Sequence, residues 1–277
     1  MISYAFWPHV RKNLKGILSL LGLIMVFGIG FLAPVLAPFP PHAVTVGPSL
    51  SSPSDKYIFG TDDLGRDILS QVMWGARASL LVGIGAAVLA TLVGVTFGAI
   101  SGYFGGLLDI ALMRVTELFI VFPPIFLALA MIGLFGNSFF VVMLVIAFVS
   151  WPAMARVVRS EVLSQKERVY VEASRAIGAS NTRIIWYEII PNVIPQIVVN
   201  TSILIARAIL LEAGLSFLGA GDPNVISWGW TLSNAFPFIT IAWWMITFPG
   251  FALFITALCF NIFGDVLNDR LNPRLRD

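Results

Sequence analysis

An all-α, polytopic membrane protein with six transmembrane helices is the fold class this sequence predicts, and three observations predict it. Of 277 residues, 58% are hydrophobic and only 12% charged, whereas roughly a quarter of a soluble domain is charged. Mean hydropathy is +0.89. Six stretches, at 16–37, 78–102, 112–135, 138–158, 193–215 and 240–264, reach the roughly 20 apolar residues a helix needs to cross a bilayer. The formal charge of +2 gives no footprint for nucleic acid, and the single cysteine, Cys259, excludes an internal disulfide framework. His9 and His42 both lie outside the apolar stretches, so no histidine metal site is expected in the membrane.

The first span follows Arg11, Lys12 and Lys15. That start resembles a signal peptide, but the apolar run is about twice a signal core, so a retained helix is expected. A Pro- and Ser-rich loop of about 40 residues comes next and turns acidic at Asp55, Asp62, Asp63 and Asp67. Its end reads as a short helix capped near Thr61 or Asp62, and "GTDD" lacks the alternating ligands of a calcium loop. In the second span Gly94, Gly98 and Gly102 share one helix face. Such a face packs closely on a neighbour, either within this chain or on another subunit. Glu117 lies near one end of the third span, placed for an entrance or a salt bridge.

After the fourth span the chain becomes charged, with ten charged side chains from Arg156 to Glu188. "SQKE", Ser164 to Glu167, has capping-box spacing, so a new helix is expected there. It would carry Val162, Val169, Ala173 and Ala176 along one stripe and Glu167, Arg168, Glu172 and Arg175 on the other. Gly178 is the expected stop, Ser180 or Asn181 the next cap, and a second short helix should end before Pro191. A helix–glycine–helix elbow with alanine rather than bulky residues on its apolar stripe suits a protein groove, with a membrane-surface linker as the alternative.

The fifth span holds Arg207 and Glu212, each costing about 2.5–3.5 kcal/mol at a helix centre facing lipid. They are therefore expected to face a cavity, a partner or each other. Beyond it, "GAGDPNVISWGWTLSNAFPF" reads as an outer turn and re-entrant helix, with Trp228 and Trp230 as candidates for an external gate. Its G-x-G-D string is also found in intramembrane aspartyl proteases, but no second membrane aspartate is available to share a proton. Thirteen of the seventeen Lys and Arg residues fall on one side of the spans if both termini are cytoplasmic, as the positive-inside rule requires. No G-x-x-x-x-G-K-[ST] phosphate loop occurs, so nucleotide is not bound in that manner.

"EASRAIGASNTRIIWYEIIP" resembles the EAA loop of ATP-binding-cassette (ABC) importer permeases at Glu172, Ala173, Ser174, Gly178 and Pro191. "FGTDDLGRDILSQVMWGARASL", "GYFGG", "ILLEAGLSFLGAG", "SWGWTL", "FPG" and "NIFGDVLNDRLNPRLR" follow the order seen in the second permease of the dipeptide, oligopeptide and nickel uptake family. That resemblance implies a type I importer (MetI-like) fold with an N-terminal unit, 1–77, and a permease core, 78–277, whose coupling loop spans about 156–191. It also implies a second homologous permease, two cytoplasmic ABC ATPases that bind ATP and Mg, and an extracytoplasmic substrate-binding protein; this chain would bind no cofactor and catalyse nothing. Peptides are the implied solute, with oligosaccharides or nickel as alternatives. A self-contained secondary transporter would show matching broken helices in an internal repeat, and the elbow occurs once.

Overall fold

The computed structural model describes residues 14–271. The basic residues Arg11, Lys12, Arg274 and Arg276, and His9, lie outside the described residues. Among those described there is no strand, only an isolated bridge between Thr61 and Asp67. Nine helices follow one another: α1 Leu14–Leu36, α2 Ile68–Phe104, α3 Gly106–Val121, α4 Pro124–Phe135, α5 Phe139–Lys166, α6 Val169–Ala176, α7 Asn181–Phe217, α8 Trp228–Ala235 and α9 Trp244–Leu271. Five of them are long and apolar enough to span a membrane, and α3 with α4 makes a sixth, bent candidate.

The glycine face of α2 decides how the core is built. A Cβ at Gly94 would lie 2.6 Å from Met154 Cβ, at Gly98 2.5 Å from the Ala155 carbonyl oxygen, and at Gly102 2.9 Å from the Arg159 carbonyl oxygen. All three pack on α5, so the small-residue face serves this chain's own interior. Glycine lets the two backbones approach where dispersion, rather than water exclusion, holds helices together. Val158 and Val162 of α5 and Ala99 of α2 fill the rest of that seam and are buried.

Several expected boundaries move. The span expected at 112–135 is two helices bent by 90°, because Phe122 is extended (φ −86°, ψ 133°) ahead of Pro123 and Pro124. A residue before proline is pushed out of the helical region. The span expected at 78–102 begins earlier, at Ile68, with Asp67 as its cap; Asp67 Oδ2 accepts from Ser70 N at 2.8 Å and Ser70 Oγ at 2.7 Å. Asp62 cannot cap, because its carboxylate already accepts from Leu64 N, Arg66 N, the Arg66 guanidinium and Gln71 Nε2. Far from hanging free, the long loop is sewn to the bundle by Trp244 Nε1 donating to the Thr61 carbonyl at 3.0 Å and by Phe59 stacked on Phe248 at 3.9 Å.

Candidate functional site

The elbow between α5 and α7 is short but closely specified. "SQKE" does not start a helix there: α5 runs on to Lys166, and α6 begins after Arg168. Val162 holds α5 in the core at that point, so the local capping pattern loses to continued packing. Only Val171 of α6 is buried, and it joins the core with Ile184, Ile185 and Ile189 of α7.

The face opposite Val171 is open. Val169 is 79% exposed and Ile177, just past the helix, 85%; Ala173 and Ala176 between them are also exposed. The expected stripe of Val169, Ala173 and Ala176 therefore exists but points outward, and Val162 is not part of it. Glu172 is exposed beside it and Ser174 half-buried.

Gly178 ends α6 with φ +79°. Ala179 N donates to the Ser174 carbonyl at 3.0 Å and Gly178 N to the Arg175 carbonyl at 3.0 Å, the paired bonds of a Schellman stop. Nothing lies within 4 Å of a Cβ at Gly178, so conformation rather than space selects glycine. Ser180 then caps α7, accepting from Arg183 N at 3.4 Å.

Pro191 does not separate a second short helix from the fifth span. Residues Asn181–Phe217 form one helix, with a π-helical turn at Ile184–Ile189 just before it. Widening the ladder there accommodates a residue without an N–H.

Sequence reasoning missed what ties the elbow to the bundle. Tyr103, near the end of α2, donates from its hydroxyl to Asn181 Oδ1 at 2.9 Å, and the Arg175 guanidinium lies 5.3 Å from its ring centroid. Two residues earlier, Ser101 donates to Asp109, which also receives Nε and Nη2 of Arg159 at 2.6 Å each. On the α6 side, Tyr170 donates to Gln165 Oε1 at 3.0 Å, and burial pushes its phenol above the ordinary range. The "GYFGG" string held the only sequence signal for Tyr103.

The charged candidates separate. Glu117 pairs with Arg114 at 3.0 Å on an exposed stretch of α3, the salt-bridge option. Arg207 and Glu212 do not meet. Five residues rotate a helix by about 140°, which leaves Arg207 exposed and Glu212 buried. Glu212 accepts from Ser79 Oγ at 3.0 Å and Ser216 Oγ at 2.7 Å.

Trp228 is a core anchor rather than a surface flap. It is 1% exposed, fits against Gly75, and donates from Nε1 to the Val72 carbonyl at 2.9 Å; its backbone N–H donates to Ser79 Oγ at 3.2 Å. Trp230 is half-buried, with the Arg66 guanidinium 5.0 Å from its ring centroid. The expected short helix is α8, capped by Ser227. Among the described residues no group of three His, Cys, Asp or Glu side chains is placed to hold a metal.

The chain is similar to known proteins. Residues 94–277 match the family described as binding-protein-dependent transport system inner membrane component. The dipeptide transport system permease protein DppC of Escherichia coli (strain K12) is 40% identical over 278 residues, covering 98% of this chain and 93% of that one. DppC of Alkalihalophilus pseudofirmus is 38% identical over 275 residues, 98% and 90% of the two chains. The oligopeptide transport system permease protein OppC of Bacillus subtilis is 34% identical over 279 residues, 99% and 92%. A chain of the MetNI methionine ABC transporter, in an inward-facing conformation, superposes with a TM-score of 0.63 at 18% identity, covering 74% of this chain and 98% of that one. The fold is thus that of the type I importer permeases.

Proposed function

Because this chain belongs to the binding-protein-dependent transport system inner membrane component family, and is therefore the non-catalytic, membrane-spanning permease subunit of an ATP-driven ABC importer, we propose that it imports di- or oligopeptides and is driven through the elbow at Glu172 to Pro191. The peptide reading is supported by the printed activities of relatives that align over nearly the whole chain. The coupling reading is carried by one observation: the outward stripe of Val169, Ala173, Ala176 and Ile177, at helical spacing on a capped helix. Small apolar side chains exposed on a rigid element match a complementary groove better than water.

The implied assembly has a second homologous permease, two cytoplasmic ATPases that bind ATP and Mg, and an external substrate-binding protein; this chain binds no cofactor of its own. The concentration of lysines and arginines on the elbow's side of the spans supports a cytoplasmic elbow and cytoplasmic termini, in reach of the ATPases. Movement of an ATPase would pull on Val171 and on the Tyr103–Asn181 bond. From there α7 carries the displacement toward the cluster at Glu212.

Cross-linking tests the docking. A cysteine at position 173 should form an ATP-sensitive cross-link to an ATPase in the assembled transporter, and Ala173→Arg should abolish ATPase co-purification while the permease still inserts. An intact, peptide-transporting complex carrying Ala173→Arg refutes the docking reading.

A further inference from the structure

Arg207 is a candidate whose surroundings among the described residues do not account for it. It stands on α7 ten residues before Phe217, about 15 Å along the axis and so deep in a hydrocarbon layer about 30 Å thick. A second marker agrees on depth. Two residues on, Ile209 packs against Gly83 of α2, several residues inside the start of the apolar stretch of α2. The Arg207 side chain is exposed and forms no ion pair among the described residues. Its nearest carboxylate in sequence, Glu212, points the other way into Ser79 and Ser216.

A guanidinium does not lose its proton, and at this depth it does not reach the headgroups. It therefore faces water or an anion. Resting on the peptide-import reading above, we infer that Arg207 lines the translocation pathway and receives the free C-terminal carboxylate of the passing peptide. The fork of a guanidinium matches two carboxylate oxygens at once, and transporters place such contacts near the midplane.

The same charge discriminates among the solutes. A divalent cation such as nickel would meet a fixed positive charge midway along its path, and a neutral sugar would gain no ion pair there. An anionic solute gains one without any new residue.

The test uses the whole transporter in proteoliposomes with its ATPases and its binding protein. Arg207→Cys, read against the buried native Cys259, should react with a membrane-impermeant sulfonated thiol reagent at least tenfold faster than the parent complex. Uptake is then compared for a peptide with a free C-terminal carboxylate and for its C-terminal amide, each supplied already bound to the binding protein. Arg207→Gln should lower uptake of the acid at least tenfold and of the amide less than twofold, with Arg207→Lys in between.

Absence of labelling in an intact complex would place Arg207 against lipid or the second permease and overturn the inference. Equal loss of acid and amide would do the same, by making the role structural. If wild type and Arg207→Gln import the acid alike, the inference fails alone. A wild-type complex that imports neither form defeats the peptide reading and the inference together.

Discussion

Adding one methyl group to α2 separates packing within this chain from every other role of its glycines. In Gly98→Ala the new Cβ would lie 2.5 Å from the Ala155 carbonyl oxygen, 2.8 Å from Val158 Cβ and 2.9 Å from Arg159 N. Two of these are backbone atoms that no rotamer change can move. Restoring ordinary contact needs α2 and α5 to part by about 0.9 Å, and a gap of that order forfeits a quarter to a half of each dispersion contact it opens. Overpacking of this kind costs about 1–3 kcal/mol, less about 0.5–1 kcal/mol gained by replacing glycine in a helix. Gly28 provides the control: it too lies inside a helix, and nothing is within 4 Å of its added Cβ. Gly28→Ala should be neutral or slightly stabilising. Reversible unfolding in mixed detergent and SDS, followed by circular dichroism, should separate the two variants by about 1–3 kcal/mol, because the gain from replacing glycine is common to both. A difference under about 0.5 kcal/mol would refute the close-packed seam.

Three further outcomes follow from the geometry. Gly178→Ala forces φ +79° on a residue with a side chain, at about 1–2 kcal/mol; if that strain is relieved by distorting the elbow, ATPase affinity measured by titration should fall about 5- to 30-fold with bundle unfolding unchanged. Glu212→Leu strands the hydroxyls of Ser79 and Ser216 and should destabilise by about 1–3 kcal/mol, while Glu212→Gln keeps an acceptor and should cost less in the same unfolding assay. Asp109→Asn leaves the half-buried Arg159 without its bidentate carboxylate; a loss of about 1.5–3 kcal/mol is expected, and added salt should narrow the gap between variant and parent.

The parts of this molecule legible in its sequence are those decided by periodicity. The face of Gly94, Gly98 and Gly102 could be read from four-residue spacing, but its partner could not, since any helix with a smooth ridge fits. Only the structure brings Ala155 and Val158 against it. Hydropathy merged 112–135 into one span because it has no sense of direction, although "FPP" at 122–124 carried the break. Short motifs failed where packing opposed them: Ser164 to Glu167 has capping spacing, yet Val162 keeps that turn in α5. Trp228 read as a candidate external gate, because nothing local reveals that Gly75, 153 positions earlier in the chain, opens a slot for it. The EAA positions were legible as a family pattern. Which of them touch the bundle was not, since that depends on Tyr103 and Val171, outside the five positions that carry the pattern.

The most consequential misreading concerns Pro191, because it changes how the elbow joins the bundle. A break there would join the elbow to the bundle by a hinge, and a hinge dissipates displacement. The π-helical turn at Ile184–Ile189 instead absorbs the missing N–H within an unbroken helix of 37 residues, about 55 Å long. Val171 plugs into its first turns and Glu212 sits near its far end, bonded to Ser79 of α2 and linked through Ser79 to the backbone of Trp228. A tilt of α7 at the elbow is therefore felt at the opposite end, because Glu212 is bonded there to Ser79 of α2. The glycine seam joins α2 to α5, so in the proposed cycle a displacement of α7 reaches that pair through the Glu212–Ser79 bond and the Ile209–Gly83 contact. Stiffness in α7 and tight packing of α2 on α5 are thus complementary requirements, and loosening either should uncouple uptake from ATP hydrolysis.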